Sequence, residues 1–314
     1  MKIQVCLLED GRTLVGGEEL LDKPGPKWID VLAPNEEGMN RLGERYSLHR
    51  LAIEDSLHLD QRPKMEEYPG HQFIVLQGFT AGQDICDLAL QEHHFFLGSD
   101  WLISVHELPF DAHDEVRHRL EADPAGMLGR GADFILYLLA DVLIDRQFPI
   151  LDTFSDELDE LEAAIFEQAE KRHLQRIFEL KRMLMKFRRV LSPQRDVVGQ
   201  LARRGIPNVQ DKNTLYFRDV YDHLVRLYEQ IDAGRDILGN VMDGYLSMVA
   251  NKTNDITKQL TIFATIFLPL SFIVGFFGQN FPQVQGPVGY YTMWVTIALI
   301  PIALIFWFRH KRWI

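Results

Sequence analysis

Residues 242–280, MDGYLSMVANKTNDITKQLTIFATIFLPLSFIVGFFGQN, decide the architecture. Charged and polar side chains fill the first part, up to Lys258; from Gln259 to Phe308 there is no Asp, Glu, Lys, Arg or His. Between residues 212 and 277 the only proline is Pro269, so a helix is expected to run almost unbroken into the apolar segment. Some sixty residues at 1.5 Å rise make roughly 90 Å, far longer than a globular domain needs. Such a helix calls for a coiled-coil partner or a membrane. Two apolar stretches, 260–277 and 288–308, meet the ~20-residue requirement for crossing hydrocarbon. The linker between them, GQNFPQVQGP (278–287), allows only a tight hairpin loop.

The flanks set the expected orientation. Arg309, His310, Lys311 and Arg312 follow the second span, and Lys252 and Lys258 precede the first. This positive-inside pattern places both termini in the cytoplasm, in a multi-pass protein of the inner (plasma) membrane. Tyr290, Tyr291 and Trp294 would then sit in an outer aromatic belt, and Trp307 and Trp313 in an inner one.

Outward from this segment, the chain is acidic. Its 314 residues carry 45 Asp and Glu against 33 Lys and Arg, a formal charge of −12. All the acids, and all bases but Arg309, Lys311 and Arg312, precede the apolar segment. That excludes a dedicated nucleic-acid binder, which needs clustered cations for phosphate. The two cysteines, Cys6 and Cys86, form no Cys-x-x-Cys pair. A disulfide scaffold is excluded and a reducing compartment expected. The N-terminus reaches Glu9 and Asp10 too soon for a signal peptide's apolar core.

The organisation expected is an α+β cytoplasmic domain, then long stalk helices, then a two-helix transmembrane hairpin. Within residues 1–130, an α/β domain, segments 2–8, 28–32, 73–76, 85–90, 95–97 and 101–105 read as strands. Residues 35–54 read as helix, with Asn35 as cap and Glu36 and Glu37 in the first turn. Residues 131–205 read as outer antiparallel helices. Acids crowd 152–170 and bases 171–189, blocks expected to be solvated faces; the alternative is that the acidic helix faces the basic tail or a divalent cation. Gly205-Ile206-Pro207-Asn208 breaks the arm before a stalk helix at 211–258, and 259–314 forms the hairpin with its basic tail. No dinucleotide-binding glycine motif, Walker loop or His-Glu-x-x-His occurs, and no enzyme is expected. His93, His94, His106, His113 and His118 are expected at the surface: His113 and His118 fall off one helical face, and adjacent strand residues point to opposite sides.

One face of the long helix is unusual. Alternating steps of four and three from Asp243 reach Ser247, Ala250, Asn254, Thr257, Thr261, Ala264, Leu268, Ser271, Gly275 and Gly278. This heptad seam is mostly small or polar. Small residues let transmembrane backbones pack closely. Packing alone does not explain Asp243, Asn254 and Thr257 on one seam. A water-filled pore does, since hydroxyl and amide oxygens suit hard cations that keep their water.

Gly278-Gln279-Asn280 at the end of the first span resembles the Gly-x-Asn motif of the CorA family of divalent-cation transporters, most often Gly-Met-Asn there. Residues 216–223 (YFRDVYDH), 242–254 (MDGYLSMVANKTN) and 260–272 (LTIFATIFLPLSF) extend the likeness over about 65 residues. Ile53-Glu54-Asp55, Gln61-Arg62-Pro63-Lys64 and Tyr68 agree more loosely. The resemblance implies a homopentamer in the bilayer with a funnel-shaped cytoplasmic part, partnered only by its own copies, lipid and divalent cations. It implies a selectivity filter at Gly278, Gln279 and Asn280, with Asn280 at the periplasmic mouth. Ser271, Leu268, Ala264, Leu260, Thr257, Asn254 and Asp243 would line the conduit, Leu268 and Leu260 as apolar constrictions. The seam adds Gly275 and picks Thr261 where the resemblance picks Leu260. At the position of Asp219 the family carries an aspartate that helps hold a regulatory cation between neighbouring subunits.

The activity implied is a channel for hydrated Mg²⁺, also Co²⁺ and Ni²⁺, gated by cytoplasmic divalent cation. No cofactor is expected: the ion is cargo and regulator. Two departures matter. Gln279 replaces the usual Met, and the loop lacks the acid typical of magnesium-transporting members. A proton-coupled Zn²⁺ transporter of the same superfamily is the alternative. A membrane-anchored sensor or scaffold fits less well, because apolar a and d positions would serve oligomerisation better.

Overall fold

A computed structural model describes residues 1–278, 286–311 and 313. They form two units: residues 1–163 with 171–241, and residues 164–170 with 242–314.

The first unit opens with strands β1 (Lys2–Glu9), β2 (Arg12–Gly16) and β3 (Lys27–Leu32) and helices α1 (Glu36–Tyr46) and α2 (Arg50–Leu57). Strands β4 (Lys64–Tyr68), β5 (His71–Ala81), β6 (Leu88–Leu97) and β7 (Trp101–His106) complete a sheet of order β2-β1-β3-β7-β6-β5-β4. Only the β3–β7 pair is parallel. Its register puts Val5, Ile29, Ile103, Phe96 and Phe73 side by side across five strands. With Met39 and Leu42 of α1 and Ala52 and Ile53 of α2 they make one core. The other face, with Trp28, Leu102, Ser104 and Phe95, is also buried. There lie α3 (Asp111–Ala122), then the one-turn α4 (Pro124–Met127) and α5 (Ala132–Asp145), whose contacts run across β3, β5, β6 and β7. A sheet covered on both faces explains the continuous apolar run of β5.

The two strands that the sequence reading missed, β2 and β4, are the edges of the sheet. An edge must avoid pairing with other chains, so it is short and polar and lacks a buried strand's signature. The expected helix over 35–54 is two helices. Asn35 caps α1 through a 2.9 Å bond from the Gly38 amide, but Ser47 turns left-handed (φ 53°) and ends it. The expected strands 85–90 and 95–97 are one strand, β6. Its polar middle is tied down where the Glu92 carboxylate accepts the Asp60 and Gln61 amides at 2.8 and 3.1 Å.

The expectation for the histidines fails for four of five. His93, His94, His106 and His113 are buried, and only His118 is exposed. His93 and His94 do point to opposite faces of β6, but both faces are covered. Facing opposite ways does not expose a residue of a two-sided core.

Helices α6 (Phe148–Glu167), α7 (Lys171–Leu201) and the 64-residue α8 (Thr214–Phe277) follow. Leu151, Phe154, Leu158, Leu161 and Ile165 of α6 are buried, and most of its acids are exposed or half-buried, as a solvated face requires. The acid and base blocks meet at Arg176, which pairs with Glu157, with Glu179 at 3.0 Å and with Asp84 at 2.9 Å. On α8, Phe217, Val220, Leu224, Leu227 and Ile231 are buried in alternating steps of three and four. Gly234 lets α8 approach α6, since a Cβ there would stand 2.7 Å from the Phe154 ring.

In the second unit, α8 continues through Pro269 to Phe277, and α9 spans Pro287–His310. Both are long and apolar enough to cross a membrane, and hardly any side chain in their most apolar stretches is buried; Phe306 is 76% exposed and Leu268 73%. The fold has the expected components: an α+β domain, a long helix and a C-terminal apolar helix.

Candidate functional site

The polar seam lies on one helix. Asp243, Ser247, Ala250, Asn254, Thr257, Leu260, Thr261, Ala264, Leu268, Ser271 and Gly275 all belong to α8, and every one is exposed in the single chain. Buried apolar positions end at Tyr245, so from there the helix has no internal reason for a polar stripe.

The threonines show what the stripe offers. Thr257 Oγ1 donates to the Thr253 carbonyl at 2.8 Å and Thr261 Oγ1 to the Thr257 carbonyl at 2.8 Å. A hydroxyl whose proton is spent on its own helix keeps its lone pairs for other donors. Water in a cation's hydration shell is such a donor. At the end of the helix the Gly278 amide reaches the Val274 carbonyl at 2.9 Å, and a Cβ on Gly278 would stand 3.0 Å from that oxygen. Gln279 and Asn280, the other two filter residues expected from the sequence, lie outside the described residues.

Asp219 does not stand alone. It is exposed on α8, and its charge reaches Tyr137 and Asp141 of α5. Asp141, Asp145 and His223 bring one ligand atom each to within 4.8 Å of one another, with His223 Nδ1 2.8 Å from Asp145 Oδ1. Burial, then the neighbouring Asp145 carboxylate, pushes the Asp141 carboxyl up to about 6 from 3.8. Burial, then Asp141 and Asp219, pushes the Tyr137 phenol up to about 12. Carboxylates crowded enough to resist ionisation are poised to gain from a bound cation. The family resemblance singles out Asp219, and nothing in the sequence reading singles out Asp141 and Asp145. Their four-residue spacing on α5 was a signal, but only the fold pairs that helix with α8.

Comparison with known proteins shows the family and the fold. A family described as CorA-like Mg²⁺ transporter protein matches residues 24–311. A cobalt/magnesium transport protein CorA from Thermotoga maritima is 35% identical over 93% of this chain and 85% of its own length. Another from Methanocaldococcus jannaschii is 25% identical over 91% of each. The complete structure of the M. jannaschii CorA magnesium transporter superposes with a TM-score of 0.87 at 23% identity, covering 100% of this chain and 99% of that one, which shows a shared fold. These relatives are transport proteins. With nearly the whole length matched, and an α+β domain followed by a long helix and a C-terminal apolar helix, the chain belongs to the CorA-like family and is a divalent-cation transporter of the membrane.

Proposed function

We propose that the chain assembles as a homopentamer around the seam of α8 and conducts hydrated Mg²⁺, with Co²⁺ and Ni²⁺ as further cargo, from a periplasmic mouth at Gly278, Gln279 and Asn280. The observation that carries this is the exposed stripe from Asp243 to Gly275, whose threonine hydroxyls turn their protons inward and their lone pairs outward. Mg²⁺ holds its waters at 2.0–2.1 Å and sheds them reluctantly. A conduit that accepts hydrogen bonds from those waters passes the ion without stripping it. Five Asn280 amides would do the same at the mouth without adding fixed charge, so the ion can also leave. Leu268 and Leu260 would form apolar rings that close by dewetting.

In the same reading the N-terminal domain and the C-terminus are cytoplasmic, and Asp219, with Asp141 and Asp145 beside it, senses internal divalent cation. Five acidic bodies repel one another; cations bound at these carboxylates screen that repulsion and favour the closed state, a shift by differential affinity.

Flux into proteoliposomes tests the reading. Mg²⁺ uptake that ignores an imposed pH gradient is expected, and Zn²⁺ uptake that needs the gradient would replace the channel by a proton-coupled zinc transporter. Asn280→Asp and Asn280→Ala are expected to change selectivity among Mg²⁺, Co²⁺ and Zn²⁺ with the pentamer intact. Weakened assembly with unchanged selectivity would mean that Asn280 only caps a helix.

A further inference from the structure

A cluster of one carboxylate and two imidazoles lies in the sheet domain, far in sequence from the seam. Asp30 at the centre of β3 is buried, and its Oδ1 faces two imidazoles: His106 Nε2 of β7 at 3.1 Å and His113 Nδ1 of α3 at 2.8 Å. The three ligand atoms lie within 4.8 Å of one another. Ligands held 2.0–2.1 Å from a tetrahedral zinc stand about 3.3 Å apart, so little movement separates this cluster from a coordination site.

The groups around these ligands fix their orientation. His106 Nδ1 lies 2.7 Å from the Leu108 carbonyl, a hydrogen bond that leaves Nε2 toward Asp30. Metal-bound histidines are usually oriented in this way, by an N–H given to a carbonyl or carboxylate. With that proton committed, a neutral His106 turns a lone pair on a carboxylate oxygen, and either a second proton or a metal ion must bridge them. Asp30 is held in turn: Ser104 Oγ donates to Oδ1 at 2.7 Å, Trp28 Nε1 donates to Ser104 Oγ at 2.8 Å, and Arg117 Nη2 donates to Oδ2 at 2.9 Å.

Two further observations point to a ligand. A cavity of about 230 Å³ adjoins Asp30, His106 and His113, which gives an entry path and room for a water at an open coordination position. His93, 1% exposed, stands beside the pair, its ring 5.2 Å from His113 and 6.0 Å from His106 between centroids. Neither of its ring nitrogens has a hydrogen-bond partner among the described residues. A buried imidazole with both nitrogens unpaired is costly, and it marks the surroundings of His106 and His113 as short of polar partners.

We propose that Asp30, His106 and His113 bind a divalent transition-metal ion of the Zn²⁺, Co²⁺ and Ni²⁺ class, with water completing its coordination. Two imidazoles and one carboxylate suit these ions, and nitrogen donors discriminate against Mg²⁺, which prefers oxygen. The site would therefore favour a transition metal over Mg²⁺. The competing arrangement is a metal-free ion pair between Asp30 and protonated histidines.

The test uses the full-length protein in detergent with zinc alone as probe. X-ray absorption at one equivalent of Zn²⁺ is expected to show two imidazole ligands, undisturbed by millimolar Mg²⁺. One imidazole or none, in the unsubstituted protein, overturns the site; His223 beside Asp145 would supply one only. His106→Gln and His113→Gln are each expected to weaken zinc binding about 100-fold or more, and Ser104→Ala, which removes a bond to the ligating oxygen, about 10-fold. His223→Gln should leave it unchanged. Equal zinc affinity in the first two variants would leave the ion pair as the explanation.

Discussion

The sheet domain and the distal half of α8 treat polar groups in opposite ways. Asp30, 7% exposed, is surrounded by Ser104, His106, His113 and Arg117 of its own chain. Thr261 and Ser271 are exposed along the part of α8 where the adjoining residues are Leu, Ile and Phe. The first region gives its buried Asp30 carboxylate partners from within the chain, because burial without a partner costs about 1–3 kcal/mol per group. The second leaves them open in an apolar setting, which is stable only if water, an ion or other copies of the chain meet them. One region meets its central carboxylate from within the chain, and the other turns its polar stripe outward.

The largest effect that sharpens this contrast is on stability. Phe96 is fully buried in the core shared by the sheet, α1 and α2. Phe96→Ala is expected to cost about 3–5 kcal/mol, read as an earlier urea unfolding transition by the fluorescence of buried Trp28. Ala264→Ser on the exposed seam should leave that transition in place. Equal shifts in the two variants would erase the distinction between the regions.

Next in size is the carboxylate cluster. Asp141 is held up at about 6 by burial and Asp145, against an ordinary 3.8. Between those values the folded chain keeps a proton that the unfolded chain has lost, so this residue's contribution to stability fades as pH rises from about 4 through 6. Above pH 6 the ionised carboxylate repels its neighbours, and a bound cation relieves it. Protons and metal therefore compete, and lowering the internal pH from 7.5 to 5 should weaken Mg²⁺ inhibition of flux about tenfold. Asp141→Asn should abolish that pH dependence, and Asp219→Ala should raise the Mg²⁺ needed for inhibition. Unchanged inhibition in Asp219→Ala would remove this cluster from gating.

A smaller effect is expected at Leu268, 73% exposed on the seam. If five leucines close the conduit by dewetting, Leu268→Ala should leave a leak of a few-fold at high internal Mg²⁺. No leak would reduce the ring to a packing contact.

How far the sequence could be read differs between the same regions. The α8 seam was legible because a helix that leaves its partner surface outward writes that surface as a period in the chain: Asp243, Asn254, Thr257 and Ser271 fall on one heptad line. The Asp30 cluster was not legible, since β3, β7 and α3 bring Asp30, His106 and His113 together from separate segments. Period-two reasoning placed His93 and His94 on opposite faces of their strand, and only the packing of α3 and α5 showed that both faces are interior. Asp141 and Asp145 were hidden likewise, because His223, the residue that completes their cluster, is on α8. Edge strands β2 and β4 escaped because polar residues there oppose pairing rather than promote burial.

The smallest effect falls on a single hydroxyl and probes the contrast most directly. Thr257 donates to the Thr253 carbonyl, which the helix itself also engages, so Thr257→Val strands no buried donor or acceptor. Valine keeps the β-branched shape, so helix packing and assembly should persist. What is lost is one outward pair of acceptor lone pairs per subunit, facing where hydration-shell waters would pass. A hydrogen bond of about 0.5–1.5 kcal/mol corresponds to a twofold to tenfold change, and Mg²⁺ flux in proteoliposomes should fall within that range. Inhibition by internal Mg²⁺ should stay as it was, because the Asp219 cluster is untouched. Lost assembly would instead assign the hydroxyl to contacts between helices, and unchanged flux would make the threonines a lipid-compatible packing surface.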